Sequence, residues 1–191
     1  MTVEAAIILP VIVLFVLGIM EFGLLFTSYS TATASTRSGA RLAATAYAQA
    51  GSSDSAQDAA AEQVALASMA DLQVLNNAEP IGMVIYRVDP SSTNGSPIGD
   101  FPGPNQQGGC TTDCIRFTYD AVTRSFDRES GSWADVDACG LTVDSVGVQV
   151  QAEHTYISGI LGQTRLVTGH TVMRLEPLPS DQCAGEAAGG T

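Results

Sequence analysis

Lysine is absent from this sequence: all eight cationic side chains are arginines, set against 20 acidic residues for a formal net charge of −12. Nucleic-acid binding needs clustered cations to neutralise phosphates, so that class of partner is excluded. An acidic surface of this kind keeps an exported protein soluble. Histidine is nearly as scarce, with His154 and His170 alone, and tryptophan occurs once, at Trp133. Serine-rich segments have no histidine at a recognisable nucleophile–base spacing, and no glycine-rich phosphate loop is present. No catalytic residue, metal or cofactor is therefore expected. Alternation places the two histidines on opposite faces of paired strands, where they do not share a metal. Asp135 and Asp137 read as solvated carboxylates rather than a calcium site, and Trp133 reads as a loop anchor rather than a ligand platform.

Charge is also missing from Ala5 to Met20, and the apolar run Ala5 to Phe26 is interrupted only by Pro10, two glycines and Glu21. As a helix, its 22 residues would span roughly 33 Å, against a hydrocarbon core of about 30 Å. This is a transmembrane candidate. A run so uniform has no polar face to show water, which argues against a buried core helix. A cleaved signal would have a basic n-region and a shorter apolar stretch, whereas nothing basic precedes Arg37. Ala32-Thr33-Ala34 does have the form of a cleavage site, so release after Ala34 stays open as the alternative.

Small residues follow, and the pattern predicts one long helix from near Val3 to about Ala50, with Tyr29, Leu42, Ala43, Ala46 and Tyr47 on a packing face. Gly51-Ser52-Ser53 breaks it. Asp54 or Ser55 caps a second helix to about Asn76, with Val64, Leu66, Met69, Leu72 and Leu75 available for packing. Strands are predicted at Ile81 to Val88, Cys114 to Val122, Arg124 to Arg128, Val146 to Ile157 and Arg165 to Glu176. A long irregular connection runs from Asp89 to Gly109. Val146, Val148, Val150 and Ala152 share one face of their strand, and Gln149, Gln151 and Glu153 the other. The fold class is α+β: a long N-terminal transmembrane and stalk helix (1–50), a second helix (51–79), a small, mainly antiparallel β-rich head (80–178) and a flexible tail (179–191).

The four cysteines, Cys110, Cys114, Cys139 and Cys183, all follow the apolar run. An even number on one side of an anchor implies an oxidising compartment and disulfides, with three possible pairings. Zinc is one rival reading, weakened because only one close pair exists, and free thiols are the other. If Val146 lies opposite Leu175, paired residue numbers sum to 321 and Cys139 falls opposite position 182. Cys139–Cys183 then closes the open end of the last hairpin, which turns around Gly159 to Gly162, and Cys110–Cys114 closes a small loop. Arg37 and Arg41 just past the apolar run would draw the C-terminal side inward by the positive-inside rule. The disulfides imply the opposite, a conflict that disappears if a short basic leader once preceded Met1.

The segment TVEAAIILPVIVLFVLGIMEFGLLF closely resembles the N-terminus of TadE-like pseudopilins of the tight-adherence pilus system. Val3-Glu4, Pro10 within the apolar run, Gly18-Ile19-Met20-Glu21-Phe22-Gly23 and Arg37-Ser38-Gly39-Ala40-Arg41 carry the resemblance. Cys114-Ile115-Arg116-Phe117, Asp144 to Val148 and Met173 to Pro177 are similar to ectodomains of actinobacterial members. The resemblance implies a leader removed by a prepilin peptidase, a membrane assembly platform, and lateral packing of the mature helix against other pilin or pseudopilin subunits. In the family a glutamate usually stands at mature position five; here it is Glu4. A carboxylate at the edge of an apolar helix is costly in lipid unless a cation compensates it, and a neighbouring subunit's N-terminal amine is the natural one. Glu21 is read as a partner inside a helix bundle, a carboxyl protonated in lipid, or a residue at the outer interface reached by water, and Pro10 as a kink that a bundle absorbs. The expected protein is a pilin-like structural subunit, anchored once in the cytoplasmic membrane with an acidic head outside. The alternative is a membrane-tethered extracellular binding module that never enters a filament.

Overall fold

The computed structural model describes residues 2–51, 53–75, 77–98, 110–133, 136–139, 143–159 and 161–183, with side chains from residue 7 onward except at 180. Much of the predicted connection from Asp89 to Gly109, and the tail from 184, lie outside the described residues. The chain forms α1 (Thr2–Ala50), α2 (Asp54–Leu72), β1 (Ala78–Arg87), β2 (Cys114–Asp120), β3 (Ser125–Ser132), β4 (Ser145–Thr155), β5 (Thr164–Arg174) and α3 (Ser180–Cys183). It is an α+β fold with a five-stranded antiparallel sheet in the order β3-β2-β1-β4-β5.

Helix α1 runs unbroken through Pro10 and only stops at Gly51, whose positive φ of 56° suits a residue without a Cβ. Its lower and upper parts differ in what surrounds them. Every side chain from Ile7 to Met20 is exposed or half-exposed, and Glu21 is the first buried one among the described side chains. From Ser28 onward α1 lies along β4 and β5, with α2 beside it, and Ala40, Ala43, Tyr47, Ala61, Val64 and Leu72 join the sheet's inner face in one core. Alanine, serine and glycine dominate the α1–α2 seam because the helices approach closely: Ser35 Oγ donates to the Ser68 carbonyl at 2.7 Å, and a Cβ at Gly39 would strike Ser68 Oγ. The upper half of α1 and all of α2 therefore roof the head's sheet.

Two packing expectations are corrected. Leu66 is 67% exposed, because the buried stripe of α2 passes through Ala61, Val64, Ala65, Ser68, Met69 and Leu72 and leaves position 66 on the far side. Tyr29 is 37% exposed at the edge of the α1 packing face, whose buried positions here are Ser28, Ala32, Ser35 and Thr36. In β4 the apolar alternation holds, with Val146, Val148, Val150 and Ala152 fully buried. The β4–β5 register differs from the expected one by two residues: Val146 lies opposite Met173, and pairing continues to Thr155 opposite Thr164. A shift of two preserves the faces, so the hydrophobic pattern does not distinguish the two registers.

Candidate functional site

The site begins where α1 meets the head. Glu21 is 3% exposed, and its Oε1 accepts the backbone N–H of Ser158 in the turn between β4 and β5. About two helical turns higher, Ser28 Oγ lies 3.0 Å from Nδ1 of His154, which is fully buried near the end of β4. The His154 ring meets Tyr156 edge-on at 5.2 Å. Burial pushes the His154 imidazole below its usual pKa against a smaller upward pull from Glu21. Higher still, Thr36 and Thr171 hydroxyls are 2.9 Å apart, and the Glu176 N–H donates to the Ala44 carbonyl at 3.0 Å. The hairpin thus lies lengthwise on α1, its turn down at Glu21 and its open end up beside Ala44.

Of the residues singled out in the sequence, the structure gives a partner to Glu21 inside this same chain. Pro10 is exposed on the free part of α1. Glu4 lies in the helical backbone of α1, and its side chain lies outside the described residues. Cys139 and Cys183 stand at disulfide distance with Cα atoms 5.6 Å apart, and Cys110 and Cys114 likewise at 5.7 Å. Sequence reasoning missed the contact between Glu21 and the hairpin turn, since 137 residues separate the partners. One signal was available: His154 continues the row Val146, Val148, Val150, Ala152, so a polar group on that otherwise apolar face needs a polar partner on the covering helix.

The attachment gives a local prediction. Glu21→Ala should speed hydrogen exchange of the Ser158 amide roughly tenfold or more, because a charge-assisted acceptor is removed. Glu21→Gln, which keeps an acceptor, should fall between. Equal exchange in the wild type and both variants would mean that Glu21 does not hold the turn.

At the opposite end of the sheet, a polar cavity of about 860 Å³ is lined by Arg87, Asp89, Asn94, Asp137, Asp144 and His170, among others. Its charged groups are engaged with one another. Asp144 Oδ1 accepts from Arg87 at 2.8 and 3.0 Å, its Oδ2 accepts the Asp137 N–H at 2.9 Å, and Asp137 Oδ1 accepts the Cys139 N–H at 2.8 Å. His170 Nε2 meets the Tyr86 hydroxyl, on the sheet face away from His154. These contacts tie strands and loops together, and the Tyr86 hydroxyl that meets His170 also donates to the Gly95 carbonyl at 3.0 Å. Among the described residues no group of three or more His, Cys, Asp or Glu side chains is placed to hold a metal. Trp133 is buried against Tyr47, ring centres 4.9 Å apart.

Residues 1–41 match the model of a family described as TadE-like protein. No curated protein and no solved structure matches the chain. The matched segment is the free part of α1 and the stretch that first meets the head. A family of this kind is pilus-related, membrane-associated and structural in character.

Proposed function

Taking the chain as a TadE-like protein on the strength of its first 41 residues, we propose that it is a pilin-like structural subunit of a tight-adherence type pilus. The observation that carries this reading is the division of α1. Thr2–Met20 projects from the head as an apolar helix with no partner of its own chain along its described sides, while the same helix continues as the roof of the head. At 19 residues the projecting part is about 28 Å long, close to a hydrocarbon thickness of about 30 Å. It anchors the subunit once in the cytoplasmic membrane and packs against equivalent helices of other pilin or pseudopilin subunits. The acidic head faces outward, and the two cysteine pairs at disulfide distance support that side. Anchorage through α1 is also supported by the burial of Ala32, Ser35 and Thr36, since release after Ala34 would cut a helix inside the packed core. A prepilin peptidase and a membrane assembly platform are the partners this role requires. The mechanism is assembly, not turnover.

Glu4 is assigned to subunit registration, its carboxylate compensated by a neighbour's N-terminal amine, with Pro10 adapting the helix to the bundle. Removing one member of a desolvated charge pair leaves the other uncompensated, at about 3–5 kcal/mol. Glu4→Ala and Glu4→Gln should therefore leave the head folded and membrane-inserted, yet deplete the subunit from sheared filaments relative to the membrane pool. Equal partition for the wild type and both variants would remove Glu4 from the mechanism. A wild-type protein found wholly in the membrane pool of piliated cells would favour the tethered binding module instead.

A further inference from the structure

We propose that the β4–β5 turn is a second membrane contact, seating the head on the lipid surface beside its own anchor. The proposal rests on the membrane-anchored reading of α1. What fixes the height of the turn is its attachment to Glu21: the Ser158 N–H donates to that carboxylate, and the Ser158 hydroxyl and Ile157 N–H are turned toward it as well. Exposed apolar side chains on α1 continue past this level to Phe22 and Phe26, which are 62% and 75% exposed. Phe26 stands five residues above Glu21, about 7.5 Å along the axis. The turn is therefore level with, or below, the upper limit of the helix's apolar surface.

The turn's own chemistry suits that place. From Tyr156 to Thr164 the sequence YISGILGQT carries no charged side chain. Ile157 is 66% exposed and Leu161 47%, in a turn, the part of a fold where polar side chains normally stand. Both are held out by a defined backbone: Gly159 and Gly162 adopt positive φ of 67° and 116°, and the Tyr156 N–H donates to the Gln163 carbonyl at 3.0 Å. Just above them Arg165 lies against Tyr29 and Tyr156. Aliphatic tip, then phenols and a guanidinium, is the vertical order of a membrane interface, where aromatic rings sit at headgroup level and arginine reaches phosphates. Glu153, exposed and four residues before Ile157, stands about 13 Å up the strand and limits insertion to the tip. Glu21 fits the same scheme: a carboxylate at this depth requires hydrogen-bond donors, and the turn that enters with it supplies them.

The test uses the full-length protein in vesicles of phosphatidylcholine brominated on its acyl chains. Trp133 is 1% exposed beneath Tyr47, which lies 26 residues beyond Glu21 and hence about 39 Å above it along α1. The native tryptophan therefore gives an unquenched baseline. Three variants each add one tryptophan: Leu161→Trp at the turn, Phe15→Trp in the projecting helix, and Thr93→Trp at the opposite end of the sheet. Leu161→Trp should emit at shorter wavelength than Thr93→Trp and lose most of its added emission to the bromines, as Phe15→Trp does. Thr93→Trp should lose none. Quenching of Phe15→Trp without quenching of Leu161→Trp overturns the second contact while leaving the anchor standing. A blue-shifted but unquenched Leu161→Trp would mean that another protein copy covers the turn, and would overturn it equally. Absence of quenching in Phe15→Trp would instead remove the anchor reading itself.

Discussion

Gly169→Ala is expected to destabilise the head by about 3 kcal/mol, the upper part of the usual range for overpacking. Gly169 lies opposite Val150 in the middle of β5. A Cβ built there falls on the carbonyl oxygen of Ala32, 2.6 Å from its carbonyl carbon and 3.1 Å from the Thr33 nitrogen. These are backbone atoms in the interior of a helix, so no side chain can swing aside. Relief requires β5 to move outward or α1 to lift, and either motion strains the Thr36–Thr171 and Ser28–His154 hydrogen bonds that lie above and below. Urea unfolding of the detergent-solubilised protein, followed through near-ultraviolet circular dichroism, measures the loss. Thr168→Ala, one residue away and half-exposed, is the control and should change little. A Gly169→Ala protein as stable as the wild type would show that α1 does not sit this close to the sheet.

Replacing Cys139 and Cys183 together by alanine should be at least as severe, at about 3–4 kcal/mol. The two are 44 residues apart, and a cross-link over a loop of that length restricts the unfolded chain by ~4 kcal/mol on the chain-entropy account. Part of the constraint survives without it, because the Leu175 N–H donates to the Asp144 carbonyl at 2.9 Å and the Leu178 N–H to the Ala138 carbonyl at 3.0 Å. These bonds already tie the open end of the hairpin. Cys110 and Cys114 are only four residues apart, so the equivalent double replacement should cost about 2 kcal/mol. Thermal unfolding of the two double variants, with the wild type measured under oxidising and reducing conditions, tests the order. Peptide mapping without reduction tests the pairing, and a fragment linking Cys139 to Cys110 or Cys114 would reject it. Loss of the longer link should also free α3, without moving the lower end of the hairpin.

Local periodicity carried most of the architecture. The apolar run, the break at Gly51 and the alternation in Val146 to Ala152 are short-range signals, and they place α1, α2 and β4 to within a few residues. Signals that depend on which of several faces a partner will cover were weaker. Leu66 fits a helical pattern as well as Val64 does, and only the position of the sheet makes one exposed and the other buried. The β4–β5 register is a case of the same kind, because shifts by two residues bury the same side chains and the turn's own backbone selects between them.

By itself, then, the sequence determined the free apolar helix, the helix–helix–sheet order and the resemblance at its N-terminus, because each is written in contiguous residues whose period or composition has one physical reading. The tertiary structure alone decided where the free part of α1 ends and the head begins. Composition extends the apolar run to Phe26, but the fold lays the β4–β5 turn against Glu21 and buries that carboxylate under it. That boundary depends on two residues 137 positions apart meeting across a sheet whose register and twist bring the turn down to the helix. No window of sequence contains both, and a buried carboxylate takes its donors from whatever the completed fold places beside it.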